Sequence, residues 1–145
     1  LKWLKENGTQ PENACCLYAT APFVQPNYLI QGLDELKSSH ASSAFSVTSF
    51  PFPIFRGMKI NDGGSLEMFW PEHRLTRSQD LPEAYHDAGQ FYWGKASAWQ
   101  QEKTLFSDEA APVFIPRYRV QDIDTMEDWD NAEQLLQLLH SEKRG

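Results

Sequence analysis

Asp122-Ile123-Asp124 is the short run whose residue types and spacing point most directly to chemistry. Alternate residues of a strand face the same side, so on a strand both carboxylates would share one face while Ile123 packs on the other. Two such carboxylates make a hard-oxygen site of the kind magnesium uses, with water and substrate phosphates completing the shell, as phosphoryl or nucleotidyl transfer requires. The same stretch also suits a helix start: Asp124 with Glu127, or Thr125 with Asp128, has capping-box spacing. Capping leaves Asp122 without a role.

Two further segments carry candidate ligand groups. Thr20-Ala21-Pro22 follows an apolar run, at the kind of strand end where open sheets bind ligands, although it is equally an ordinary turn. Arg74 to Pro82 and His86 to Trp93 combine guanidinium groups, a glycine turn and strand aromatics. Arginine grips a carboxylate through two parallel hydrogen bonds and tyrosine offers a ring face with a polar tip, so these segments suit an anionic ring-shaped ligand. A solvated loop leading into a core strand is the competing reading. His40, His73, His86 and His140 lack ligand spacing and read as surface or capping residues. Adjacent Cys15 and Cys16 make neither a disulfide with each other nor a CxxC site, and read as small core residues. There is no GxSxG elbow.

The elements that must position these groups follow from periodicity. Ala14 to Ala19 is continuously apolar, which predicts a strand covered on both faces, as in a parallel sheet, and hence an α/β fold. Tyr28, Leu29, Leu33 and Leu36 recur at helical spacing behind it. Ala44 to Ser49 predicts a second strand, and Phe50-Pro51-Phe52-Pro53 turns the chain out of the sheet. Asn61-Asp62-Gly63-Gly64 between Lys59-Ile60 and Leu66 to Trp70 predicts a hairpin, making residues 50–80 an excursion on a β-ribbon. Strands are predicted at Gln90 to Trp93, Val113 to Ile115 and Tyr118 to Asp124, and a short helix at Ala96 to Glu102. A final helix buries Trp129, Ala132, Leu135, Leu136 and Leu139, with Lys143 and Arg144 complementing its C-terminal dipole. Leu1, Trp3 and Leu4 before Asn7-Gly8 read as the end of a helix closed by glycine, with further chain expected upstream.

Composition sets the class. A formal net charge of -7 without a basic stripe argues against nucleic acid or an anionic membrane as partner. The apolar run from Ala14 to Val24 is far short of the roughly 20 residues that span a bilayer. A soluble cytoplasmic protein is expected.

Taken in order, these segments resemble the acylneuraminate cytidylyltransferases, the CMP-sialic acid synthetases, and within that family its pseudaminic acid branch. Leu17-Tyr18-Ala19-Thr20-Ala21-Pro22-Phe23 resembles the family's strand and Gln-Pro-Thr-Ser-Pro loop, and Arg77 to Tyr85 its Arg-x-x-Leu-Pro segment. Asp87 to Trp93 stands where sialic acid synthetases carry Asn-Gly-Ala-Ile-Tyr, and Asp122-Ile123-Asp124-Thr125 is similar to Asp-Ile-Asp-Thr. The resemblance covers nearly the whole chain.

It implies a Rossmann-like nucleotide-diphospho-sugar transferase fold, mainly parallel, with 1–145 forming the C-terminal part of one domain and 50–80 a dimerisation arm. The implied reaction is attack of a nonulosonic acid's anomeric hydroxyl on the α-phosphorus of CTP, releasing pyrophosphate. Asp122 and Asp124 are implied as catalytic residues holding Mg2+. Tyr18, Ala19, Thr20, Gln90, Tyr92 and Phe106 are implied to bind the sugar. Arg77 matches an arginine that reaches from the arm to a partner's sugar site, while Arg56 matches a lysine only loosely. A cytoplasmic homodimer serving bacterial surface glycans or flagellin is the implied setting.

Tyr18 replaces the family's glutamine, and Ala88 the asparagine before the glycine, which points to pseudaminic acid rather than ordinary sialic acid. The glycine-rich basic loop that cradles CTP phosphates has no counterpart here, so the nucleotide part is expected to be missing and the fragment alone to be inactive. A non-catalytic sugar-binding and dimerising fragment stays open, as does a synthetase acting on sialic acid, legionaminic acid or 3-deoxy-manno-octulosonic acid.

Overall fold

The computed structural model describes residues 1–142, with side chains described through Leu139. Lys143 and Arg144, expected to complement the last helix, and the His140 side chain lie outside the described residues. The chain divides into two compact units, residues 1–48 with 87–145, and Ser49–His86.

In the larger unit, helix α1 (Lys2–Glu6) ends as expected at a glycine: Gly8 takes φ +82, and the Gly8 and Thr9 amides donate to the Lys5 and Leu4 carbonyls. Strand β1 (Asn13–Leu17), helix α2 (Pro26–Ser38), β2 (Ser43–Ser49), β5 (Tyr85–Lys95), α3 (Ala96–Gln100), β6 (Ala110–Phe114) and α4 (Met126–Glu142) follow. The short strands β3 (Met58–Ile60) and β4 (Leu66–Met68) belong to the other unit.

The main sheet has the order β1-β5-β2-β6. β1 runs antiparallel to β5, with Cys15 opposite Trp93, and β2 runs parallel to β6, with Ser46 opposite Val113. Ser42 O accepts from Lys95 N at 3.1 Å, while Ser46 Oγ accepts from Gln90 N and Phe91 N at 3.2 and 3.3 Å. The β2–β5 pairing is therefore antiparallel. The α/β class holds and the sheet is mixed: β1, β2 and β6 point one way, with β5 inserted against them.

Burial corrects two expectations for β1. It lies at the end of the strand order, its last residues are exposed, and Cys16 is a surface residue, although both cysteines are free as expected. β2 is the strand covered on both faces, because Ala, Ser and Thr let neighbours approach closely there. One face of the sheet buries Ala88, Phe91, Val113 and Ile115 with Tyr28 and Leu29 of α2. The other buries Phe45, Val47 and Tyr92 with Trp99 and Leu105. Phe23, Ala132 and Leu139 form a separate cluster that seats α4, whereas Trp129 and Leu136, expected to be buried, are exposed.

Two glycines permit close packing. A Cβ on Gly94 would lie 2.6 Å from Trp99 Nε1, which donates to Ala14 O at 3.1 Å. A Cβ on Gly32 would lie 2.9 Å from both Phe91 and Trp93 ring atoms.

The strand expected at Tyr118 to Asp124 is absent. Pro116 opens a 3-10 turn at Arg117–Arg119, and the chain from Val120 to Asp124 is irregular. Gln90 Nε2 donates to Arg119 O at 2.6 Å, so a side chain rather than a ladder holds this segment.

The smaller unit carries the expected hairpin. Asn61 Oδ1 accepts from Gly63 N and Ser65 N at 3.1 and 2.9 Å, and Gly64 takes φ +79. Phe55, Trp70 and His73 pack edge to face beside it, so His73 is an aromatic-cluster residue rather than a simple surface histidine. Phe52, Ile60, Leu66 and Leu75 of the unit are exposed.

Candidate active site

Tyr18 continues β1 by donating its amide to Gln90 O at 3.0 Å, and Ala19 and Thr20 follow in an exposed turn. β5 supplies the next wall. Asp87 Oδ1 accepts from Gly89 N at 2.9 Å, which fixes a turn in which Gly89 adopts φ +62. Asp87 Oδ2 accepts from the Tyr92 hydroxyl. Burial first, and then this carboxylate, raise the Tyr92 phenol far above its ordinary pKa, because ionisation would put a second negative charge in a poorly solvated place.

An aromatic row grows from Tyr92. The Tyr18 ring meets it edge-on at 5.3 Å, Phe45 of β2 stacks at 5.8 Å, and Phe106 meets Phe45 edge-on at 5.2 Å. Tyr92 is only 5% exposed, whereas Tyr18 is 48% and Phe106 64% exposed. The surface of this row is therefore formed by Tyr18 and Phe106, with Tyr92 and Phe45 beneath. Such a surface suits the apolar face of a sugar ring.

Asp122 comes to the same place. A Cβ on Gly89 would lie 3.9 Å from both Asp122 Oδ1 and Tyr18 Cδ2, so Asp122, Gly89 and Tyr18 meet at one point. Asp122 and Asp124 are exposed, and among the described residues neither carboxylate has a hydrogen-bond or ion-pair partner. The helix start is served by other groups: Asp128 N donates to Thr125 Oγ1 at 3.2 Å, and Asp128 Oδ2 accepts from Thr125 N at 2.9 Å. Capping thus uses Thr125 and Asp128 and leaves both aspartates of the run available to a hard cation. Among the described residues no group of three or more potential ligands gathers, and the strand that would set Asp122 and Asp124 on one face is absent.

Of the residues singled out from sequence, Tyr18, Tyr92 and Phe106 come together in the aromatic row, and Asp122 joins them at Gly89. Gln90 is 3% exposed and its amide nitrogen is committed to Arg119 O. Arg77 lies in the smaller unit, paired with Asp80 at 2.7 and 3.1 Å. Phe45 and Asp87 are additions from the structure. An aspartate two residues before a glycine is a recognisable turn signal, but its bond to Tyr92 has no local signature.

No protein-family model matches the chain. The mixed α/β sheet, with Asp122 brought beside Tyr18 at Gly89, is compatible with the resemblance to the cytidylyltransferases, and relatives bear that resemblance out. A pseudaminic acid cytidylyltransferase of Campylobacter jejuni is 40% identical over 129 residues, 89% of this chain and 56% of that protein. A Helicobacter pylori protein named pseudaminic acid cytidylyltransferase and UDP-2,4-diacetamido-2,4,6-trideoxy-beta-L-altropyranose hydrolase is 33% identical over 76% of this chain and 21% of its own length. N-acylneuraminate cytidylyltransferase B of Danio rerio is 26% identical over 83% of this chain and 28% of its own. The chain spans little more than half the length of the Campylobacter relative.

Proposed function

We propose that the protein carrying this chain is a cytidylyltransferase that joins CMP from CTP to pseudaminic acid, releasing pyrophosphate. The observation that carries this reading is the meeting of Tyr18, Gly89 and Asp122 below an aromatic row, in a chain 40% identical to a pseudaminic acid cytidylyltransferase. In this reading Tyr18, Ala19, Thr20 and Phe106 face the sugar, Tyr92 supports them, and Gln90 holds the segment that carries the aspartates. Asp122 and Asp124 would hold Mg2+, which neutralises charge on the triphosphate. Their exposure, and their lack of partners among the described residues, support that role.

The chain's own contribution is positioning. The aromatic surface orients the sugar so that its anomeric hydroxyl faces the α-phosphorus, and Asp122 and Asp124 would draw the triphosphate to their side through the Mg2+ they would hold. The unit Ser49–His86, with its exposed Phe52, Ile60, Leu66 and Leu75, serves as a homodimerisation arm, and Arg77 on it reaches the sugar site of the partner subunit. The enzyme works in the cytoplasm, where CTP is available, and supplies surface-glycan or flagellin glycosylation.

Pyrophosphate release by the full-length protein, assayed with CTP, Mg2+ and a panel of nonulosonic acids, tests this. Turnover with pseudaminic acid above the others is expected. Turnover of none of them sinks the proposal.

A further inference from the structure

We propose that Asp87 is a positioning residue for the sugar side of the site, acting through Tyr92 on the Tyr18 ring. This rests on the cytidylyltransferase reading and adds to it a residue that bonds both the Gly89 turn and the Tyr92 phenol.

The geometry is specific. Asp87 uses its two carboxylate oxygens for two tasks, one on Gly89 N and one on the Tyr92 hydroxyl. An ionised carboxylate only accepts hydrogen bonds, so Tyr92 must donate, and its proton is committed away from any ligand. Tyr92 is also buried beneath Tyr18 and Phe45. Its phenol is therefore a fixed support rather than a group that reads the sugar's hydroxyls. The turn fixed by the other oxygen sets Gly89 against both Tyr18 and Asp122. One side chain thus determines where the exposed Tyr18 edge stands relative to the metal-binding carboxylate.

Burial and the Asp87 charge both keep Tyr92 protonated, which preserves the donor at any ordinary pH. Asparagine at position 87 would keep the acceptor for Gly89 but turn an amide N–H toward Tyr92. The Tyr92 hydroxyl would then have to accept, and its proton would be released to seek another partner. Phenylalanine at position 92 removes the hydroxyl and keeps the ring.

The test is steady-state kinetics on the full-length protein with Asp87→Asn, Tyr92→Phe and the double variant, varying pseudaminic acid and CTP separately. The expected result is a roughly tenfold rise in KM for the sugar in each single variant, the size expected for one charge-assisted hydrogen bond. KM for CTP should stay within about twofold, and the double variant should be no worse than either single one, because both break the same link. An Asp87→Asn enzyme with unchanged sugar KM, additive effects in the double variant, or equal rises in both KM values overturns the inference. Wild-type enzyme that turns over no nonulosonic acid overturns the reading of function, and this inference with it.

Discussion

Gly89 and Asp122 face each other at the site: a Cβ on Gly89 would lie 3.9 Å from Asp122 Oδ1, an ordinary contact. What glycine supplies there is therefore its backbone conformation at φ +62 rather than space. Gly89→Ala is expected to cost about 1 kcal/mol through that left-handed backbone. Thermal unfolding measures it, and an unchanged midpoint would show that the turn relaxes without strain.

Asp122→Asn and Asp124→Asn should each remove magnesium-dependent CMP transfer from the full-length protein. Because both carboxylates are exposed and, among the described residues, without partners, stability should change by less than about 0.5 kcal/mol. Transfer at wild-type rate by Asp124→Asn would show that this carboxylate holds no metal needed for the reaction.

Thr125 and Asp128 govern the start of α4 instead. Thr125→Ala should cost about 1 kcal/mol without loss of activity at neutral pH. Hydrogen bonds from Thr125 lower the Asp128 carboxyl below its ordinary value in the folded chain. Its contribution is therefore present above the unfolded carboxylate pKa of about 4 and is lost as pH falls through the lower folded value. Urea midpoints measured from neutral pH into acid should fall less steeply for Asp128→Asn than for wild type. Parallel curves would contradict this.

Gly94→Ala should destabilise by about 1 to 3 kcal/mol, since the added methyl overlaps the Trp99 indole and drives it from Ala14 O. Denaturant midpoints and a red-shifted tryptophan emission would report the displacement. An unchanged midpoint would show that the indole has room to move.

What the sequence disclosed was what local chemistry decides. The Gly8 helix end and the Asn61 hairpin are legible because left-handed glycines and an asparagine that bonds its own turn act within a few residues. Tyr18, Tyr92, Phe106 and Asp122 are named through resemblance, and the structure sets the three aromatics in one row with Asp122 beside Tyr18 at Gly89. The apolar run of β1 looked like a strand covered on both faces, but strand order depends on distant pairing, and β2 takes that place. Tyr118 to Asp124 reads as a strand because its alternation fits any extended chain, whereas the 3-10 turn at Arg117–Arg119 and the bond from Gln90 to Arg119 O hold the segment. Asp87 is legible as part of its segment, but its link to Tyr92 is not, because that link spans a turn that only the folded backbone closes.

The most direct test of the account is 31P NMR of the full-length protein with CTP, Mg2+ and pseudaminic acid. The account predicts matched growth of a CMP-sugar phosphodiester and pyrophosphate, both absent when the sugar is omitted. Pyrophosphate and free CMP appearing at the same rate with or without the sugar would contradict it, as would no reaction.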